Sequence, residues 1–445
     1  MEETLQKQRA MRANRKTALQ RRIIAVLDIG STKIACMIVE FDDKPKHEDD
    51  RVISFKGQLN FKIVGAHVTE SRGVKFGEVE TVADTNHAIS TVFTRAQQIA
   101  KRNVDHVVVC FSGARPKSEL ASGRIGLIDK PVDETDVARV LASCEIPEFA
   151  SNRELLHAQP VNFGVDHRVS LNDPRNLLGN SLDVDMHLLS VDKMAFDNII
   201  GCVDRCNVNL AGITTSAYMS GLACLVEDEQ EIGGACVDIG GGTTSISIFF
   251  KKHMIFAETV PIGGRTITTD ISQIFGVSFR EAEKIKTVNG GVVATQRDDW
   301  NICAFGSGKS TEGLDHEIYK ATRTELIGVM RPRAEEILEI IRSKLREAGF
   351  DQLPGNRIVL TGGCSVIRWL DELAKRILGK HIRFGLPIRV RGLPQLMTDP
   401  QFSASVGLCL YAAQPDDELW DFRTPSEIAE GSSLKRAFRW FRHKW

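Results

Sequence analysis

The apolar and polar positions of this chain repeat themselves. Residues 23–27 (IIAVL) form a β-branched run that ends on Asp28, and after the small turn Ile29-Gly30-Ser31-Thr32-Lys33 a second apolar run spans 34–39. A copy stands 210 positions later (Asp28 to Asp238): Ala235-Cys236-Val237-Asp238-Ile239-Gly240-Gly241-Gly242-Thr243-Thr244 leads into 245–250 (SISIFF). Each copy reads as strand, aspartate, small-residue turn, strand. Further strands are predicted at 61–68, 107–111 and 358–360, and helices at 79–101, 133–142, 191–205, 280–286 and 332–347. A turn and helix are expected over 212–225, mixed short elements over 112–185, and a flexible loop at the polar, glycine-rich 306–313. A duplicated half-molecule decides a fold, so the pattern points to an α/β protein of two related halves.

The turns have the chemistry of an anion grip. Glycine lets backbone N–H groups approach an anion closely, Ser31, Thr32, Thr243 and Thr244 add hydroxyl donors, and Lys33 adds a cation. Asp28 and Asp238 suit water around a bound Mg²⁺, which keeps much of its hydration. One such turn is an ordinary hairpin; two facing each other clamp phosphates from both sides. Neither is a Walker loop, and both lead into strands, which a dinucleotide-binding glycine motif does not. A third glycine turn, Thr361-Gly362-Gly363-Cys364-Ser365, follows the strand at 358–360 and is expected to lead into a helix running to 378.

Composition adds limits. The 445 residues are 42% hydrophobic and 26% charged with net charge −1, which suits two to four globular domains and points to no nucleic-acid partner. Ten cysteines without a C-x-x-C pair favour a reducing cytosol, and Cys202 and Cys206 read as packing residues on one helix face. No apolar run has transmembrane length. Residues 1–22 hold seven Lys or Arg and two Glu and are expected to be a mobile basic arm; Arg21-Arg22 precedes too short an apolar run for a signal peptide.

The other terminus is patterned more sharply. Residues 414–431 carry six acidic side chains, one Arg and two prolines and read as a linker of roughly 20–25 Å r.m.s. reach. In 432–445, a helical winding places Leu434, Ala437, Phe438, Phe441 and Trp445 on one face, with Trp440 at its border. Lys435, Arg436, Arg439, Arg442 and His443 fill the other side, Lys444 lies at its edge, and Ser432 or Ser433 can cap the helix. Aromatics opposite cations, with no acid, are the composition of a helix lying in a headgroup layer. The alternatives are packing on the protein's own body, which the acidic spacer disfavours, and a calmodulin-like target peptide.

In order, D-I-G-S-T-K, D-I-G-G-G-T-T and L-T-G-G resemble the phosphate-1, phosphate-2 and adenosine motifs of the superfamily of actin, the large heat-shock chaperones and sugar kinases. Ser71-Arg72-Gly73-Val74-Lys75-Phe76-Gly77-Glu78-Val79 is similar to the S-R-G-x-x-x-G-x-V stretch of the FtsA family of bacterial division actins. The resemblance implies an actin-like, ribonuclease H-like duplicated, two-lobed ATPase fold, with a subdomain inserted in the first lobe and a C-terminal amphipathic helix. It implies ATP and Mg²⁺ between the lobes, held by Asp28, Gly30, Ser31, Thr32 and Lys33 and by Asp238, Gly240, Gly241, Gly242, Thr243 and Thr244. Gly362, Gly363 and Cys364 would lie beside the adenosine, Cys364 crowding it slightly, and Glu283 and Lys286 near the purine and ribose. The implied division is 23–106 with 186–217 as first core half, 107–185 as insert, 218–250 with 331–413 as second half, and 251–330 as its insert.

It also implies function: a polymer under the inner membrane at the septum, attached through Leu434, Lys435, Arg436, Phe438, Arg439, Trp440, Phe441, Arg442, Lys444 and Trp445. Its partners would be further copies of itself, anionic lipids, other division proteins and the tubulin-like FtsZ, whose C-terminal peptide would meet Lys320, Arg323, Arg331 and Arg333. Residues 213–225 hold no Glu, Gln, Asp or His to orient an attacking water, so tight binding with slow or negligible turnover is expected. Two alternatives share the motifs. A small-molecule kinase would need a carboxylate base and a substrate pocket, for which no motif stands out. A pilus-assembly relative would lack the S-R-G stretch and the tail.

Overall fold

The computed structural model describes residues 2–42, 60–147, 149–166, 168–171, 173–305 and 319–413. The expected linker at 414–431, the amphipathic segment at 432–445 and the loop at 306–313 lie outside the described residues. Residues 2–21, expected as a mobile arm, instead form helix α1 (Glu2–Arg21). Met11, Arg15 and Ala18 are buried on its inner face, and Asn14 donates to the Leu210 carbonyl at 2.9 Å. A mostly polar helix needs only a narrow buried face, and arginine stems supply part of it.

The first lobe begins with the antiparallel strands β1 (Ile23–Ile29), β2 (Lys33–Phe41) and β3 (Phe61–Glu70). A small hairpin follows, β4 (Val74–Lys75) and β5 (Glu78–Val79). Helix α2 (Val82–Ala100) then crosses over to β6 (His106–Phe111), parallel to β1. The insert is a separate sheet made of β7 (Lys117–Pro131), β8 (Arg153–Val165), β9 (Arg168–Leu171) and β10 (Leu178–Asp192), ordered β7-β10-β8-β9. Helix α3 (Glu134–Ala142) covers it over a core that includes Leu141, Phe163 and Met186. Asp133, expected as the first helical residue, is the N-cap, its carboxylate accepting the Asp136 N–H. Helix α4 (Lys193–Asp204) and β11 (Asn209–Thr215) return the chain to the first sheet.

Helices α5 (Ser216–Cys224) and α6 (Glu227–Ile232) lead into the second lobe. It comprises β12 (Gly234–Ile239), β13 (Thr244–Phe250) and β14 (His253–Val260), then α7 (Gly264–Phe275) and α8 (Phe279–Asn289). A hairpin, β15 (Ile302–Phe305) and β16 (Tyr319–Thr322), precedes α9 (Arg323–Glu347), β17 (Arg357–Thr361), α10 (Leu370–Leu378) and β18 (His381–Phe384). The last described element is α11 (Ser403–Ala413). The first sheet runs β3-β2-β1-β6-β11 and the second β14-β13-β12-β17-β18, each with three antiparallel strands followed by two parallel ones. The duplication read from two turns thus extends to whole lobes.

Larger boundary differences from the expectation follow. Val107–Phe111 is fully buried beside β1 and belongs to the core, so the insert begins after it and runs through β10 to residue 192. Helix α11, placed with the second half, packs on α5, β1 and β2 and shares the first lobe's core. Helix α9 starts at 323, with Pro332 inside it. Thr322 and Glu325 cap that start reciprocally, and burial of Leu326, Ile327 and Met330 outweighs the one backbone bond that proline removes. Finally, residues 362–369 form turns and α10 begins only at Leu370, so no helix N-terminus follows the glycine pair directly.

Candidate functional site

The two expected phosphate turns share one geometry. Gly30 N–H donates to the Lys33 carbonyl at 3.1 Å and Gly240 N–H to the Thr243 carbonyl at 2.9 Å. They also meet. A Cβ on Gly241 would stand 1.9 Å from Thr32 Oγ1, and one on Gly242 2.6 Å from Ser31 Oγ and 3.2 Å from the Phe76 Cα. Glycine is required there because the opposite loop occupies the space a side chain would need. The β4–β5 turn and the residues just before it brace the first loop, with Gly77 N–H donating to Ser31 Oγ at 2.7 Å and Ser71 N–H to the Thr32 carbonyl at 2.9 Å. That contact is the physical content of the S-R-G stretch.

Between the lobes lies a cavity of about 540 Å³. Asp28, Gly30, Ser31, Thr32, Lys33, Asp238, Gly240, Gly241, Gly242, Thr243, Glu283, Lys286, Gly363 and Cys364 line it, which brings together nearly every residue expected around a nucleotide. Two stand apart. Thr244 is fully buried and donates to the Ile262 carbonyl at 2.8 Å, so its hydroxyl braces β13 from behind. Gly362 lies against Asp238, where a Cβ would approach Oδ1 to 2.2 Å, and its amide donates to the Pro400 carbonyl at 3.2 Å.

The paired aspartates are held alike. Ser405 of α11 donates to Asp28 Oδ2 at 2.6 Å, and Ser220 of α5 donates to Asp238 Oδ2 at 2.5 Å. The Cys110 thiol adds a bond to Asp28 Oδ1 at 3.3 Å. These two helices cross closely: a Cβ on Gly407 would stand 1.9 Å from the Met219 carbonyl oxygen. Each aspartate is therefore tied to a helix at the junction of the lobes.

Burial pushes the Asp238 carboxyl up to about 6; nearby Asp28 adds to this, while Ser220 and Lys33 oppose it. A carboxylate that destabilised fits a hydrated Mg²⁺ beside phosphate oxygens, and Asp28 and Asp238 would hold it through water. Among the described residues no group of three or more His, Cys, Asp or Glu side chains could hold a metal ion by itself. Affinity for Mg-ATP is expected to fall by up to about tenfold per pH unit below 6, and Asp238→Asn to flatten that dependence in calorimetric titrations. The apoprotein should show the opposite trend. Between pH 4 and 6 the folded state holds a proton the unfolded state has lost, so stability declines as pH rises.

At the other end, Lys286 donates to Glu283 Oε2 at 2.7 Å, to Thr268 Oγ1 at 2.8 Å and to the Gly264 carbonyl at 3.0 Å. Three bonds use its three donors, so Lys286 orients Glu283 and joins α8 to α7. Cys364 packs against Gly264, and burial pushes its thiol up to about 11, leaving it neutral. Sequence reasoning missed Ser112, Ser216, Val288, Val366, Ile367, Arg368, Asp399 and Gln401, which also line the cavity. It missed the Gly263-Gly264 pair as well, although glycines ahead of a helix were a visible signal. Gly264 and Arg265 donate N–H bonds to the carbonyls of Gly240 and Gly241, setting the start of α7 against the second loop. Around the phosphate loops the lining side chains are Asp28, Asp238, Lys33 and the hydroxyls of Ser31, Thr32, Ser112, Ser216, Thr243 and Ser245.

Of the expected peptide-docking cations, Lys320 is exposed. Arg331 pairs with Glu335 at 2.7 Å, and Arg333 grips both oxygens of Asp270, at 2.7 and 3.1 Å, and also Glu336. Arg323 is turned inward, its side chain 14% exposed, 3.6 Å from Asp298 and bonded to the Gly290 carbonyl. Its role is to tie α9 to the loop after α8, which corrects the docking expectation for that residue.

The family described as "Cell division protein FtsA" matches residues 235–407, and "SHS2 domain inserted in FTSA" matches 113–190. The second range agrees with the insert between β6 and α4. The chain is 33% identical over 398 residues to cell division protein FtsA of Rhizobium meliloti (strain 1021), covering 89% of this chain and 88% of the relative. It is 26% identical over 438 residues to that of Escherichia coli (strain K12), covering 96% and 99%. Among solved structures, the PilM-PilN type IV pilus biogenesis complex gives a TM-score of 0.57 at 16% identity, over 88% of this chain and 98% of that one. MreB5 of Spiroplasma citri bound to ADP gives 0.51 at 12%, over 87% and 95%. The pilus and MreB likenesses establish the actin-like fold. The long relationship in sequence, with the inserted domain in its place, goes further: this chain belongs to the FtsA family of cell division proteins.

Proposed function

We propose that this protein binds Mg-ATP between its lobes, polymerises, and tethers FtsZ filaments to the cytoplasmic face of the inner membrane at the septum, helping to recruit later division proteins. The observation that carries the reading is the direct contact of the two phosphate loops, with an aspartate behind each. A triphosphate seated there would touch Gly30–Lys33 of one lobe and Gly240–Thr243 of the other, so the nucleotide state bears on the angle between lobes and hence on the surfaces offered to further copies.

Residues 432–445 serve as the membrane foot in this reading. A single short helix attaches weakly and reversibly, with about 1 kcal/mol from each cation near an anionic leaflet. Many feet on one polymer hold far better through effective concentration. Turnover is slow or negligible, since among the described residues the phosphate end offers hydroxyls but no side chain suited to orient the attacking water beyond the two aspartates. The decisive test is co-sedimentation with anionic liposomes, using intact protein and protein lacking 432–445, each with and without ATP. Pelleting that needs both the tail and ATP supports the reading; pelleting indifferent to both removes it. Phosphorylation of a sugar or carboxylate at more than about 1 s⁻¹ would favour the kinase alternative.

Lys320, Arg331 and Arg333 remain the proposed contacts for the acidic FtsZ peptide, by charge-assisted bonding. Arg333→Glu would also set an acid beside Asp270, so its effect mixes docking with stability. Lys320→Glu with Arg331→Gln is cleaner, since it sets no acid beside Glu335, and is expected to weaken peptide capture about tenfold in polarisation titrations with the melting temperature nearly unchanged.

A further inference from the structure

We propose that the acidic stretch following α11, chiefly residues 414–422, docks on the basic stripe of α1 and straps the root of the C-terminal segment to the first lobe. Helix α1 is fixed in place by Asn14 on the Leu210 carbonyl and by Arg15. The Arg15 guanidinium lies 4.6 Å over the Tyr411 ring and donates to the Tyr411 carbonyl. That carbonyl belongs to the last turn of α11, where backbone acceptors lack helical partners and a cation is favoured. Arg9, Arg12 and Lys16 stand at i, i+3 and i+7, so they form one stripe along α1 bordering the buried face of Met11, Arg15 and Ala18. The stripe starts where the chain leaves α11, two residues beyond Tyr411.

The occupant follows from what comes next. Gln414-Pro415-Asp416-Asp417-Glu418-Leu419-Trp420-Asp421-Phe422 carries four carboxylates and no cation. Leu419, Trp420 and Phe422 offer apolar surface for arginine stems. Nine extended residues reach about 30 Å, the length of a 20-residue helix, so the whole stripe is within range. Contacts of this kind are individually weak and salt-sensitive, but one chain supplies both sides at a high effective concentration. If 432–445 is the membrane foot, a strap would leave only residues 423–431 as free tether, roughly 15–18 Å r.m.s. in place of 20–25 Å, and would set which face of the first lobe meets the bilayer.

Hydrogen exchange of the full chain, without vesicles, tests the strap independently of any membrane. Peptides covering 414–422 are expected to exchange about tenfold faster in Arg9→Glu/Arg12→Glu/Lys16→Glu than in the parent, and to slow again when Asp416→Lys/Asp417→Lys/Glu418→Lys is added. Should the triple variant melt α1, which peptides from 8–20 would show, a salt titration of the parent protein decides: exchange of 414–422 must quicken as ionic strength rises to 1 M. Equal exchange in parent and triple variant, or salt-independent exchange, overturns the proposal. Unchanged exchange with weaker pelleting on phosphatidylglycerol vesicles, measured in protein lacking 432–445, would overturn it in favour of lipid as the stripe's partner.

Discussion

Gly241→Arg is expected to weaken calorimetric ATP affinity at least 100-fold while leaving each lobe folded. The reason is distance: the first atom of any side chain at 241 would fall 1.9 Å from Thr32 Oγ1, about half a normal contact. Either the loops separate, and the phosphates lose one of their two grips, or the side chain fills the space between them. Gly242→Ala should weaken affinity as well, since Ser31 Oγ at 2.6 Å can rotate away but Ser31 Cβ at 2.7 Å and the Phe76 Cα at 3.2 Å cannot. Gly328→Ala is the control. Nothing stands within 4 Å of a Cβ there, and within helix α9 alanine should stabilise by about 0.5–1 kcal/mol with ATP binding unchanged. Normal affinity in the Gly241→Arg protein would show that the paired loops do not hold the nucleotide.

Trp440→Glu with Phe441→Glu should release the protein from anionic liposomes. Withdrawing two aromatic side chains from an apolar layer costs roughly 3–6 kcal/mol, and two new carboxylates oppose the surface potential. Partitioning of the monomer should therefore fall by a factor of about 100 or more. The loss on a polymer should be larger still, because every foot is weakened at once. ATP binding, set by residues far away in sequence, should not change. Co-sedimentation equal to that of the parent protein would remove 432–445 from membrane attachment.

Much of the cleft was legible because its chemistry is local. A hairpin loop that must accept a phosphate needs glycines and hydroxyls at adjacent positions, so Gly30–Lys33 and Gly240–Thr243 announce themselves. Thr244 misled for the same local reason: its hydroxyl suits a donor, but as the first residue of β13 it points behind the loop to Ile262. Arg323 looked like a surface cation because nothing nearby in sequence reveals Asp298 folding back over it. Ser220 and Ser405, which hold the two aspartates, sit in runs of small residues that carry no pattern to single them out. Their task depends on helices that cross only after both lobes have formed.

The duplicated turn, the strand pattern around it, the insert's presence and the charge pattern of both termini were determined by sequence alone. Hydrogen-bonded turns and amphipathic faces depend on residues a few positions apart, so a linear reading captures them. Tertiary structure decided three further things: that β6 belongs to the core rather than the insert, that α11 returns to the first lobe, and that the basic first helix lies folded against the end of α11. Each depends on contacts between segments far apart in the chain, from Ala25 beside Val107 to Arg15 with Tyr411 or Asp28 with Ser405. Local propensity carries no record of such pairs, because they become favourable only when burial of the whole core brings them together.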